Sequence, residues 1–201
     1  MLDIYAFIGY SKFTKFLKNE NERSVKVGKF LFRVARLKAM GTLVGFVIAY
    51  FPFLIPVKKI IQNSKAVSFK HPLASYPNHI LIIPRKIARS IFYLSAEDFY
   101  EIFQMAIKIR KGDNNDFVLL INGGKRQDVM QAHFHLFTGN LVSQKGLAKE
   151  RSEQFSQSNK LFWERVVIDL HGLMKKHKVS EAAFSMFIQF ENGVHTTAYF
   201  I

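Results

Sequence analysis

Residues 131–137 read Gln131-Ala132-His133-Phe134-His135-Leu136-Phe137, a regular alternation of two kinds of side chain. Such a run constrains the fold because an extended strand sends successive side chains to opposite faces. Gln131, His133, His135 and Phe137 then share one face, and Ala132, Phe134 and Leu136 the other, where they can enter a core. Successive heads on one face stand about 6–7 Å apart. A face carrying two imidazoles and an amide admits three readings. It is a half-exposed strand with surface histidines. It is part of a metal site, since two imidazoles on one strand can share a zinc; a third ligand must then come from elsewhere, and the chain has no cysteine. Or it is a site of chemistry.

Two other stretches accompany it. Upstream, Phe117-Val-Leu-Leu-Ile-Asn122 is a second strand-like run, followed by a turn at Gly123-Gly124-Lys125-Arg126-Gln127-Asp128-Val129. Further back stands Tyr76-Pro77-Asn78-His79-Ile80-Leu81-Ile82-Ile83-Pro84-Arg85-Lys86. Three separated blocks in this order resemble the histidine-triad (HIT) family over roughly residues 60–139. Its motif is His-φ-His-φ-His-φ-φ on a strand, φ being apolar. Here His133 and His135 match the middle and third histidines, and Gln131 stands in place of the first.

The resemblance implies a chemistry. His133 attacks the α-phosphate of a nucleotide, giving a nucleotidyl-histidine that water releases; a neutral imidazole is nucleophilic near pH 7. One ring nitrogen must face phosphorus while the other donates to a fixed acceptor. His135 holds or protonates phosphate oxygens, and Asn122 and Gln127 match amide phosphate ligands. Asp128 departs from the family's Ser or Thr and offers no donor unless protonated. Gln131 can hydrogen-bond but lacks the proton-shuttling capacity of histidine. His79 matches a histidine found near the triad, although a core histidine is an equally good reading. The resemblance implies no cofactor and no metal. The implied substrates are nucleotide conjugates: phosphoramidates, dinucleoside polyphosphates or a nucleotide-activated lipid. A non-catalytic nucleotide-binding module is the alternative that Gln131 and Asp128 favour. A basic membrane- or nucleic-acid-binding protein with a vestigial triad is a third. Nucleic acid ranks last, for want of a stacking motif.

The chain holds 201 residues with a net charge of +14, a balance suited to anionic partners. Lys12, Lys15 and Lys18 lie among Phe13, Phe16 and Leu17, and Ser24 to Lys38 repeats the basic amphipathic pattern. Ala39 to Val57 carries no charge, and Pro52 and Pro56 end regular helix near Phe51. Residues 1–57 are therefore expected to associate with a membrane, by spanning it or lying in it, with the catalytic domain on the cytoplasmic side. A buried structural hairpin is the competing reading.

An α+β fold is expected: an antiparallel HIT-like sheet with a helix over residues 58–139, and a helix plus β-hairpin extension over 140–201. Ser95, with Asp98 three residues on, starts the helix. Its apolar face, within Phe99 to Ile109, is the expected homodimer surface. Phe117–Asn122 and Val129–Phe137 make a hairpin. Residues 152–160 read as loop or exposed helix, 161–176 as an amphipathic helix, and Glu191-Asn192-Gly193 as a hairpin turn. His171, His177 and His195 read as surface or satisfied histidines.

Overall fold

The computed structural model describes residues 40–54, 59–71, 78–110, 116–124, 127, 129–138, 147–154, 159–178 and 184–200. The elements are helix α1 (Gly41–Tyr50), strands β1 (Lys59–Gln62), β2 (Ala66–Lys70) and β3 (Ile80–Pro84), helix α2 (Ala96–Arg110), strands β4 (Phe117–Gly123), β5 (Phe134–Thr138) and β6 (Leu147–Gln154), helix α3 (Lys160–His177), and strands β7 (Phe184–Glu191) and β8 (Val194–Phe200). All eight strands form one antiparallel sheet in the order β1-β2-β3-β5-β4-β7-β8-β6. The extension is thus continuous with the motif-bearing half, because β7 pairs with β4 along its whole length.

The ladder decides which residues share a face. Ile82 lies opposite Phe134 and Ile80 opposite Leu136, which lies opposite Leu119. These five side chains join Ile121, Met186 and Ile188 in the core, against Phe99, Phe103 and Trp163 of helices α2 and α3. Phe99 stacks on Trp163 with ring centroids 5.9 Å apart and planes 2° from parallel. The alternate residues point away from the helices, and His135 is one of them, opposite Leu81 and Leu120.

Local signals were sound at several elements. Ser95 Oγ accepts from the Asp98 N–H at 3.2 Å and Asp98 Oδ2 accepts from the Ser95 N–H at 2.8 Å, a reciprocal cap. Asn192 and Gly193 take φ of 50° and 76°, the left-handed pair of a tight hairpin. Asn159 caps α3 by accepting from the Phe162 N–H at 3.2 Å.

Three expectations are corrected. Residues 152–154 belong to β6, a strand of polar residues held by its ladder with β8. The apolar face of α2 is covered within the chain, by the sheet and by α3. The membrane-spanning expectation is also corrected: among the described residues no helix is long and apolar enough to cross a membrane. Helix α1 has 10 residues, about 15 Å of helix against about 30 Å of hydrocarbon. The uncharged run is broken by Pro52, where a 3-10 turn follows. Helix α1 instead packs on the motif region: a Cβ at Gly45 would clash with Gln131 Oε1 and sit 3.8 Å from Ile87. The basic stretches at 12–18 and 24–38 lie outside the described residues.

Candidate active site

His133 precedes β5 and is buried. Its Nδ1 lies 2.7 Å from the backbone oxygen of Gln131. A carbonyl only accepts, so Nδ1 carries the proton and Nε2 carries the lone pair. The chain itself therefore fixes the tautomer that a nucleophile requires, through a contact only two residues away. The His135 ring lies edge-on to the His133 ring at 5.0 Å between centroids, and Phe137 follows 6.2 Å beyond His135 on the same face.

His135 Nδ1 lies 2.9 Å from His79 Nε2. His79 is buried, with Phe137 stacked on it at 4.5 Å and His71 at 4.2 Å. Burial pushes His79 down to about 4, helped by the nearby His71 charge. Burial lowers His135 further, reinforced by His133, His79 and His71. Both rings are neutral at pH 7. With a proton on His79 Nε2, His135 Nδ1 accepts, and the remaining His135 Nε2–H is available as a donor.

Asn122 ends β4. The β4–β5 register places Leu120 opposite His135, so Asn122 shares the face of His135 and His133. Its Oδ1 accepts from Ser185 Oγ of β7 at 2.8 Å. That bond leaves the Asn122 amide hydrogens as the outward donors. Sequence reading missed Ser185, which becomes visible only through the register that pairs it with Asn122.

Two expected site residues are committed elsewhere. Gln127 Nε2 donates to the backbone oxygens of Arg89 and Val129, both at 2.7 Å, so its amide has no hydrogen left for a phosphate. Gln131 lies before β5 rather than in it, and is 1% exposed. Its Nε2 donates to the Lys86 oxygen at 2.9 Å and its Oε1 accepts from the Ala88 N–H at 3.2 Å. It therefore braces the segment after β3 and lies against helix α1, with both ends of its amide committed to backbone groups. Lys86 ties the same segment to α2 through Asp98 at 2.8 Å. Asp128, Lys125 and Arg126 lie outside the described residues.

The HIT domain model matches residues 53–141. An uncharacterized HIT-like protein of Buchnera aphidicola subsp. Baizongia pistaciae (strain Bp) is 30% identical over 100 residues, covering 45% of this chain and 88% of that protein. The chain belongs to the HIT family. Among solved structures, a Hit-like protein is 25% identical with a TM-score of 0.43, covering 48% of this chain and 98% of the other. A yeast Ap4A phosphorylase in complex with Ap4A is 10% identical with a TM-score of 0.48, covering 80% of this chain and 65% of the other. The HIT match takes in β1 to β5 and their histidines, while α3 and strands β6 to β8 lie beyond it.

Proposed function

We propose that this HIT chain is a nucleotide-binding hydrolase or transferase that cleaves a nucleoside-phosphate conjugate at the α-phosphate, with His133 as nucleophile. The observation that carries the reading is the His133 Nδ1–Gln131 oxygen bond of 2.7 Å. It leaves Nε2 as the unprotonated nitrogen. Attack by Nε2 forms a P–N bond while the bond from phosphorus to the leaving group breaks, and the leaving group takes the electron pair. The resulting imidazolium keeps its Nδ1–H on the Gln131 carbonyl. Water, or an acceptor phosphate in a transferase, then attacks phosphorus to form a P–O bond as the P–N bond breaks; the pair returns to His133 Nε2, and the proton of an attacking water passes to solvent. His135 Nε2–H and the Asn122 amide donate to the phosphate oxygens as charge builds.

The committed amide of Gln131 bears on the leaving group. No acid stands at that position, so the reading favours a group that departs as a stable anion, such as a phosphate or a nucleotide, over an amine or alkoxide. Helix α1 does not supply a membrane-spanning anchor, and the proposed substrate is a small nucleotide conjugate.

The test is incubation of the full chain with α-labelled diadenosine polyphosphates and adenosine phosphoramidates, acid-free quenching and peptide mapping. Label on His133, lost in His133→Ala, supports the reading. Tight binding of nucleotide with neither adduct nor turnover would replace it with a non-catalytic binding module.

A further inference from the structure

We propose that His71, His79 and His135 form a binding site for a divalent transition-metal ion, with zinc as the test case. One ring nitrogen from each of the three lies within 4.8 Å of those of the others. The arrangement follows from the strand register. Lys70 pairs with Ile80, so the next position out brings His71 opposite His79. The His71 N–H donates to the His79 oxygen at 3.0 Å and closes that pair. The two imidazoles then stack at 4.2 Å with planes 6° apart. From the other side, β5 delivers His135 Nδ1 to within 2.9 Å of His79 Nε2.

The donor set selects the ion. Three imidazoles, with neither thiolate nor carboxylate, suit zinc, copper or nickel rather than calcium or magnesium. Zinc–imidazole bonds of about 2.0–2.1 Å in a tetrahedron put the nitrogens about 3.3 Å apart. The His79–His135 pair is already inside that separation, at 2.9 Å. The widest pair must close by about 1.5 Å at most, and the half-buried His71 ring must turn out of its parallel stack on His79 so that its in-plane lone pair points at the ion. The ion would displace the proton shared by His79 and His135. A relay that only orients His135 needs His79 alone; a third imidazole within reach is what a metal requires. Three protein ligands also leave a fourth position open.

Because His135 is shared and its ring lies 5.0 Å from that of His133, metal on its Nδ1 would leave Nε2–H as its donor and so regulate or tune that site. This consequence rests on the proposed cleavage reading, whereas binding of the ion does not. The experiment uses the full chain without a histidine tag, stripped with chelator and titrated with zinc by calorimetry. Equilibrium dialysis with elemental analysis counts the bound ions, and cobalt supplies a visible spectrum. The expected result is one ion per chain, at least about 10-fold weaker in His71→Ala and in His79→Ala, with tetrahedral cobalt bands that both variants lose. His133→Ala and His171→Ala should leave the affinity within about 2-fold, as neither residue is a ligand. His71→Gln, with folding checked by circular dichroism, stands in should His71→Ala misfold. No stoichiometric binding by the wild-type chain at micromolar zinc overturns the proposal, as does binding that the His71 and His79 variants do not weaken. Zinc binding without a nucleotidyl adduct would keep the metal site and remove only the cleavage reading; an adduct without zinc binding would do the reverse.

Discussion

Histidines stand on both faces of the sheet, and the two faces use them in opposite ways. Away from the helices, His133 is fixed by a carbonyl at 2.7 Å and His135 by His79 at 2.9 Å. Under the helices, His195 lies opposite Phe190, boxed by Phe103, Phe162 and Trp163 at centroid distances of 5.0, 4.4 and 5.8 Å. It is fully buried, and neither ring nitrogen has a hydrogen-bond partner among the described residues. Burial is common to both groups, so burial does not mark a site. The difference lies in the partners. On one face His133 and His135 each have a ring nitrogen held by a defined polar partner; on the other the imidazole serves as an aromatic filler.

The strongest way to break that comparison is to remove the assigned ring. His133→Ala should abolish cleavage of a nucleotide conjugate, by about 10⁴–10⁶-fold, since among the described residues no other side chain at the site is held as a nucleophile. Single-turnover kinetics with labelled substrate measures it. Cleavage that survives within 10-fold of wild type would mean that the His133–Gln131 contact is purely structural.

His135→Ala should cost less, about 10²–10³-fold in kcat, because Asn122 continues to donate to the same oxygens. Nucleotide affinity should change less than kcat if the donor acts mainly as charge develops in the transition state. Equal losses in affinity and kcat would place His135 in ground-state binding instead.

On the helix-covered face the readout is stability against pH. Burial holds His195 down at about 4, below its ordinary 6.5. As pH falls, the unfolded chain takes the proton first. The contribution is therefore fully present above about pH 6.5 and is lost as pH falls towards 4, amounting to about 3 kcal/mol at most. Replacing the ring with an apolar one, His195→Phe, should flatten the denaturation midpoint between pH 6.5 and 4 while changing stability at pH 7 by about 1 kcal/mol or less. An unchanged acid limb in urea titrations would mean that His195 finds a proton acceptor in the folded chain.

Much of this was legible in the sequence wherever a local rule acts alone. The Ser95–Asp98 cap, the Asn192-Gly193 turn and the continuous apolar run of β3 need no distant partner to be recognised, and alternation alone puts His133 and His135 on one face, their proposed roles coming from the family resemblance. The failures came where distant contacts decide. Residues 147–154 carry little apolar alternation, and only pairing with β8 makes them a strand. The uncharged run 39–57 looks membranous to a hydropathy count, which does not register that Pro52 ends the helix after Tyr50 or that Gly45 seats it on Gln131. His71 carried no motif; only the extended β2–β3 register brings it to His79. His195 read as a surface or satisfied histidine because nothing local announces an aromatic box assembled from α2 and α3.

Gln131 is where the two kinds of argument part most clearly, and Gln131→His sharpens the contrast with the smallest expected change in rate. Alternation alone makes position 131 a third member of the histidine face. A gain of about 10²–10⁴-fold would then follow from restoring an acid for the leaving group. The structure instead has the Gln131 amide spanning the Lys86 oxygen and the Ala88 N–H, beneath Gly45. An imidazole cannot reproduce that pair, since its two nitrogens are fixed across a rigid ring. It would leave a buried backbone group unsatisfied and press on α1. The expected outcome is a loss of about 1–3 kcal/mol in stability, with kcat on a polyphosphate substrate within about 10-fold of wild type. Denaturant titration and steady-state kinetics on one preparation measure both. A large rise in kcat without loss of stability would show that the new ring reaches the leaving group, and position 131 would then belong with His133 and His135.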